Sequence, residues 1–83
     1  MFHVYILRTS SNTLYTGQTK NLAKRLREHK GKTLKAAKYT RYFKSFELVY
    51  SENLKTRSEA MKREAELKSW TKAKKEALIK ITR

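Results

Sequence analysis

Hydrophobic and polar positions divide this chain into short stretches with different periods. Residues 2–8, FHVYILR, and 13–18, TLYTGQ, are rich in β-branched and aromatic side chains, which suit a pleated, half-buried surface. The intervening SSN supplies hairpin-turn chemistry. Residues 22–30, LAKRLREHK, place Leu22, Ala23 and Leu26 on one stripe of a helix, which Thr19 or Asn21 can cap. A basic, aromatic loop follows over 31–43. FKSFELVYS, 43–51, alternates Phe46, Leu48 and Tyr50 and predicts a third strand. Residues 57–70 predict a helix capped by Ser58, with Ala60, Met61, Ala65 and Leu67 as its apolar stripe. A last helix covers 71–81, with Thr71 as its cap and Ala77, Leu78 and Ile81 facing inward. The order ββαβαα predicts an α+β fold: a small three-stranded antiparallel sheet packed by helices.

Length and composition change the picture in two ways. Eighty-three residues with no proline, two glycines and no linker-like run predict one domain over 1–83. Lys and Arg number 21 against seven acids, all Glu, for a formal net charge of +14. Such an excess contributes nothing to the fold but attracts polyanions, and nucleic acid is the leading partner. Absence of cysteine removes thiolate metal sites and cysteine nucleophiles and fits a reducing, cytoplasmic setting. No apolar run approaches the roughly 20 residues of a membrane span, and FHVYIL is too short for a signal peptide. A membrane partner is therefore not expected.

Three groups of residues carry candidate chemistry. A turn centred near Ser10 sets Tyr5 opposite Tyr15, and a shift of two residues would still leave them on one face. Gly17 faces the same way and leaves that patch open to something bulky. The ordinary alternative is a hydrophobic cross-strand pair. Glu64 breaks a local rule, because it falls within the apolar stripe of its helix while Glu59 and Glu66 fall on the solvated side. Either Glu64 pairs with Lys68 one turn later, or carboxylate and metal meet there. Arg25 and His29, four residues apart, share a helix face and can reach over the sheet edge.

In that order, Tyr5, Tyr15 with Gly17, Arg25, His29 and Glu64 resemble the GIY-YIG nuclease family, and more closely its short, stand-alone bacterial branch. Val4-Tyr5 matches the first motif element and Tyr15-Thr16-Gly17 the second. LAKRLREH matches the helix that carries the family's Arg and His. AKYTR at 37–41 and REAELK at 63–68 look like the short branch's loop and its Glu-bearing helix. His3 stands where the family name has glycine and Thr16 where it has isoleucine. No Asn or Gln follows Glu64, although many family members carry an asparagine there.

The resemblance implies metal-dependent hydrolysis of phosphodiester bonds in nucleic acid, DNA rather than RNA, as in repair or recombination. Glu64 would hold one Mg²⁺ or Mn²⁺ ion. Tyr5 would act as general base, Tyr15 would orient water or phosphate, and Arg25 would lower the Tyr5 pKa and meet transition-state charge. His29 would relay a proton or bind phosphate. A lone carboxylate argues against two-metal chemistry, which needs several clustered acids. Gly17, Arg27, Lys38, Tyr39, Arg41, Lys44 and Lys68 would form the nucleic-acid track, with cations on phosphates and rings under bases. Sequence preference should be weak, since phosphate contacts carry no sequence information. The alternative is a non-catalytic basic binding module, or a nuclease subunit directed by a protein partner.

Overall fold

The computed structural model describes residues 1–31 and 46–81, with the side chains of α1 described up to Glu28. The elements are β1 (Phe2–Thr9), β2 (Leu14–Thr19), α1 (Leu22–Gly31), β3 (Phe46–Leu54), α2 (Arg57–Ser69) and α3 (Lys72–Ile81). The fold is α+β, in the expected ββαβαα order. Its antiparallel sheet runs β2-β1-β3, with β1 in the middle.

The hairpin turn is centred on Ser11, one residue past Ser10, which shifts every cross-strand partner by two. Thr9 and Thr13 bracket a three-residue loop through Thr9 N–H to Thr13 O and Asn12 N–H to Thr9 O, both 2.9 Å. The Thr9 hydroxyl also takes the Ser11 and Thr13 amides. Asn12 adopts φ 63°, a left-handed conformation that asparagine tolerates better than most residues. The register is thereby fixed with Tyr5 opposite Gly17 and Leu7 opposite Tyr15. Tyr5 and Tyr15 are diagonal neighbours, not a directly opposed pair.

Strand alternation splits β1 between two faces. Val4 and Ile6 join Val49, Ala60, Leu67 and Ile79 in the hydrophobic core beneath α2 and α3. Tyr5 and Leu7, equally buried, point to the other face. On β3 a register shift opposite Ile6 and Leu7 leaves Val49 as the extra residue, with Tyr50 against Ile6 and Leu48 against Leu7. This bulge breaks the two-residue period. Phe46 and Leu48 consequently do not share Tyr50's face, as simple alternation had suggested, and Val49 supplies the buried side chain. Residues 43–45 of the expected strand lie outside the described residues.

Side-chain caps mark the helix starts. Asn21 Oδ1 accepts the Lys24 amide at 3.0 Å, and the Thr19 hydroxyl accepts the Asn21 amide. Thr71 caps α3 through the Lys74 amide. In α2 the cap is Thr56, not Ser58: its hydroxyl takes the Glu59 amide at 3.1 Å and donates to the Glu59 carboxylate. The buried line of α2 is Ala60 and Leu67, with Arg63 and Glu64 half-buried between them, while Met61 and Ala65 face solvent. In α3 Ile79 is buried, whereas Ala77 and Ile81 point outward.

Polar side chains lock the helices to the sheet. Arg8 forms a two-pronged pair with Glu76 of α3, at 2.6 and 2.7 Å. Arg63 joins Glu52 of β3 at 2.6 Å and Glu66 on its own helix, and Tyr50 donates to Glu52 at 2.5 Å. Trp70, between α2 and α3, packs on the core. Its ring meets the Arg63 guanidinium at 5.3 Å and the Lys74 ammonium at 4.3 Å, a cation–π arrangement that ties the two helices together.

Candidate active site

Tyr5 is the fixed point of the site because it occupies the central strand and is 1% exposed. Its ring lies across Gly17: a Cβ built there would sit 2.6 Å from the phenol oxygen and 2.8 Å from Cζ. The space left by glycine is thus filled by Tyr5 itself and is not open to an outside group, which corrects the sequence expectation for Gly17. Glycine is needed for the close approach, its φ being unexceptional. The Tyr15 ring stands 6.4 Å from that of Tyr5, tilted by 51°, within the range of favourable aromatic pairs.

From α1, Arg25 donates a hydrogen bond to the Tyr5 hydroxyl. Its Nη1 also lies 3.4 Å from Glu28 Oε1, one helical turn on. Glu28 was not singled out from the sequence, although its i, i+3 spacing from Arg25 is the signal that could have found it. The Arg25 guanidinium is held above its ordinary pKa: burial opposes the charge, but the hydrogen bond to Tyr5 and the Glu28 carboxylate outweigh it. Arg27 is exposed. His29 follows Arg25 by one turn in α1, its side chain outside the described ones.

Arg25 lowers the Tyr5 pKa, as expected, but does not bring it below the ordinary tyrosine value. Burial pushes the phenol up to about 12, and the hydrogen bond and charge of Arg25 offset only part of that rise. Tyr15 and, more weakly, the Glu64 carboxylate push the same way. That influence marks Glu64 as a member of the same electrostatic neighbourhood as the two phenols. Glu64 is 20% exposed, and its Oε2 lies 3.2 Å from Lys68 Nζ, which is itself 55% exposed. The i, i+4 pair anticipated as the ordinary alternative therefore exists, with its Lys68 end open to solvent. Among the described residues no three His or acidic side chains gather at one point. Lys38, Tyr39, Arg41 and Lys44 lie outside the described residues.

The match of the GIY-YIG catalytic domain model spans residues 1–77 and so includes every one of these described side chains. The chain belongs to the GIY-YIG family. Among its GIY-YIG relatives, a UPF0213 protein of Natronomonas pharaonis is 46% identical over 77 residues, 93% of this chain and 88% of that protein. A UPF0213 protein of Staphylococcus aureus is 45% identical over 93% of this chain and 92% of its own length. The solution NMR structure of a UPF0213 protein from Bacillus halodurans superposes with a TM-score of 0.62 at 36% identity, covering 98% of this chain and 85% of that one. GIY-YIG domains are nuclease-like, and these relatives make up a short, stand-alone group in which the domain is nearly the whole protein. Among the described residues, no helix of this GIY-YIG domain is long and apolar enough to cross a membrane.

Proposed function

We propose that this chain is a divalent-cation-dependent endonuclease that hydrolyses phosphodiester bonds in DNA with weak sequence preference. One observation carries the reading: a buried phenol, hydrogen-bonded by an arginine, stands within the electrostatic reach of a half-buried carboxylate on another helix. The donor set suits a hard cation that takes one carboxylate and fills its other positions with water and phosphate oxygens, as Mg²⁺ does. Glu64 would hold that ion. When bound it would supply charge to the scissile phosphate and the leaving oxygen.

The other roles follow from position. Arg25, a cationic fork already aimed at Tyr5, meets negative charge as it develops. Tyr5 accepts the proton of the attacking water, and Tyr15 orients the water or the phosphate. His29 relays a proton or contacts phosphate. Gly17 serves by letting the phenol lie flat against β2. Ionising a phenol of pKa about 12 at pH 7.5 costs about 6 kcal/mol, so Tyr5 reacts as a base only after that cost falls. Neutralising Glu64 lowers it, because the carboxylate charge is one of the causes of the rise. Arg27, Lys68 and the basic segment with Lys38, Tyr39, Arg41 and Lys44 make up the phosphate and base track.

The test is plasmid nicking with Mg²⁺ or Mn²⁺. Glu64→Ala should abolish chelator-sensitive nicking and leave DNA retention nearly intact, and unchanged nicking would falsify the assignment. A second reading, a basic nucleic-acid-binding module without catalysis or one directed by a protein partner, draws on the Lys68 ammonium already seated on Glu64. It predicts retention with no chelator-sensitive cleavage by wild-type protein.

A further inference from the structure

Lys20 and Arg57 share a cleft that none of the roles above uses. The cleft, about 490 Å³, is lined by Phe2, Gln18, Lys20 and Arg57. It lies where β1 and α2 begin and β2 has just ended. Extending the β1–β2 register one step past His3–Thr19 sets Phe2 beside Lys20. Phe2 pairs on its other side with Leu54, three residues before Arg57. The fold thus gathers two cations, an amide and a ring that are far apart in sequence.

Among the described residues neither cation has an ion-pair partner. All seven acidic side chains of the chain lie among the described residues. Their ion pairs run to Arg8, Arg25, Arg63 and Lys68 and leave Lys20 and Arg57 without a carboxylate. Two like charges facing one concave space repel unless an anion sits between them. Phosphate oxygens suit that place, the Gln18 amide can donate or accept beside them, and the Phe2 ring offers an apolar wall to a sugar or base. Arg57 precedes Glu64 by seven residues of α2, a rise of about 10 Å.

We propose that the cleft between Lys20 and Arg57 binds a backbone phosphate of the same nucleic-acid strand whose scissile phosphate would lie at Glu64. The inference rests on the nuclease reading for the strand it concerns but makes a separate claim about binding. Both cations are exposed, so the double variant Lys20→Ala/Arg57→Ala should keep the wild-type circular dichroism and melting temperature.

The experiment is fluorescence anisotropy with a labelled oligothymidine of about 16 nucleotides, titrated across a range of salt concentrations. Loss of one phosphate contact should flatten the plot of log K against log salt by about 0.7, equivalent to roughly 5-fold in affinity at 0.1 M salt. Lys72→Ala/Lys80→Ala on α3 is the control and should leave the slope in place. An unaltered slope in the cleft variant, or an equal loss in the control, overturns the proposal. So does displacement of the probe by polyglutamate as readily as by unlabelled oligothymidine, which would assign the cleft to an acidic peptide. The two claims fail separately. Nicking lost in Glu64→Ala with a normal slope in the cleft variant sinks the cleft alone. A flattened slope with nicking indifferent to Glu64 sinks the nuclease alone.

Discussion

Gly17→Ala is the substitution whose outcome the geometry determines most directly. Replacing glycine by alanine within a strand usually stabilises a protein by about 0.4–1 kcal/mol, through loss of unfolded-state freedom. Here the sign should reverse. The new Cβ would lie 2.6 Å from the Tyr5 hydroxyl oxygen and 2.8 Å from Cζ, so ordinary contact near 3.5 Å requires retreats of about 0.9 and 0.7 Å. Tyr5 is buried on the central strand, and a ring in that position moves only by displacing its neighbours or its backbone. Overpacking of this kind costs about 1–3 kcal/mol. A loss of about 2 kcal/mol would lower Tm by about 8–16 °C in a domain of this size. Moving the phenol also pulls it from Arg25, and a displacement near 1 Å costs about 100-fold in rate. Calorimetry measures the first effect and Mn²⁺-dependent nicking the second. The double variant Tyr5→Phe/Gly17→Ala should recover part of the stability, since one of the two clashing atoms is gone. A melting temperature at or above wild type in Gly17→Ala would refute the close-approach reasoning.

Three further outcomes follow from the same coordinates. The Tyr5 phenol is protonated in the native state until about pH 12, while an unfolded tyrosine titrates near 10; its stabilising contribution is complete below pH 10 and is lost between 10 and 12, by about 2.7 kcal/mol in all. Alkaline denaturation of Tyr5→Phe should lack that share of the decline, and identical pH dependence would place the raised pKa elsewhere. Thr16 is 3% exposed and its hydroxyl has no hydrogen-bond partner among the described residues; the near-isosteric Thr16→Val should stabilise by about 1–2 kcal/mol in urea titrations, and destabilisation would show that the hydroxyl is satisfied. Arg63→Ala, which strands Glu52 and Glu66 and strips one face of Trp70, should cost about 2–3 kcal/mol and change tryptophan emission, with Arg63→Lys recovering little because it lacks the planar fork.

The sequence made some of these elements legible and hid others, for physical reasons that can be named. The element order, the caps at Asn21 and Thr71 and the inward placement of Glu64 depend on periodicity and local hydrogen bonding, which short windows of sequence carry. The register of the hairpin does not. It hangs on whether one asparagine takes a left-handed conformation, and that moved the partner of Tyr5 from Tyr15 to Gly17. The bulge at Val49 is likewise invisible to a two-residue period and inverted the expected faces of β3. In α2 the apolar residues are too few to fix the phase: the stripe that puts Met61 and Ala65 inward is off by part of a turn, and Arg63 and Glu64 are the half-buried residues between Ala60 and Leu67. The Tyr5–Arg25 contact lowers the phenol pKa, as its charge predicts, but burial on the central strand, which no short window of sequence displays, outweighs a single cation. The cleft at Lys20 and Arg57 had no local signature at all, because its four residues meet only through the sheet and the start of α2.

β1 is hydrogen-bonded on both sides along its length, and its residues alternate between the packing beneath α2 and the phenol at the site. Its amides should therefore be among the slowest to exchange with solvent, opening only when the whole molecule opens. A reactive group mounted on such a strand has no private route to disorder. Thermal inactivation and global melting should coincide, and variants tuned for a more mobile Tyr5 would have to give up the hydrophobic core to obtain it.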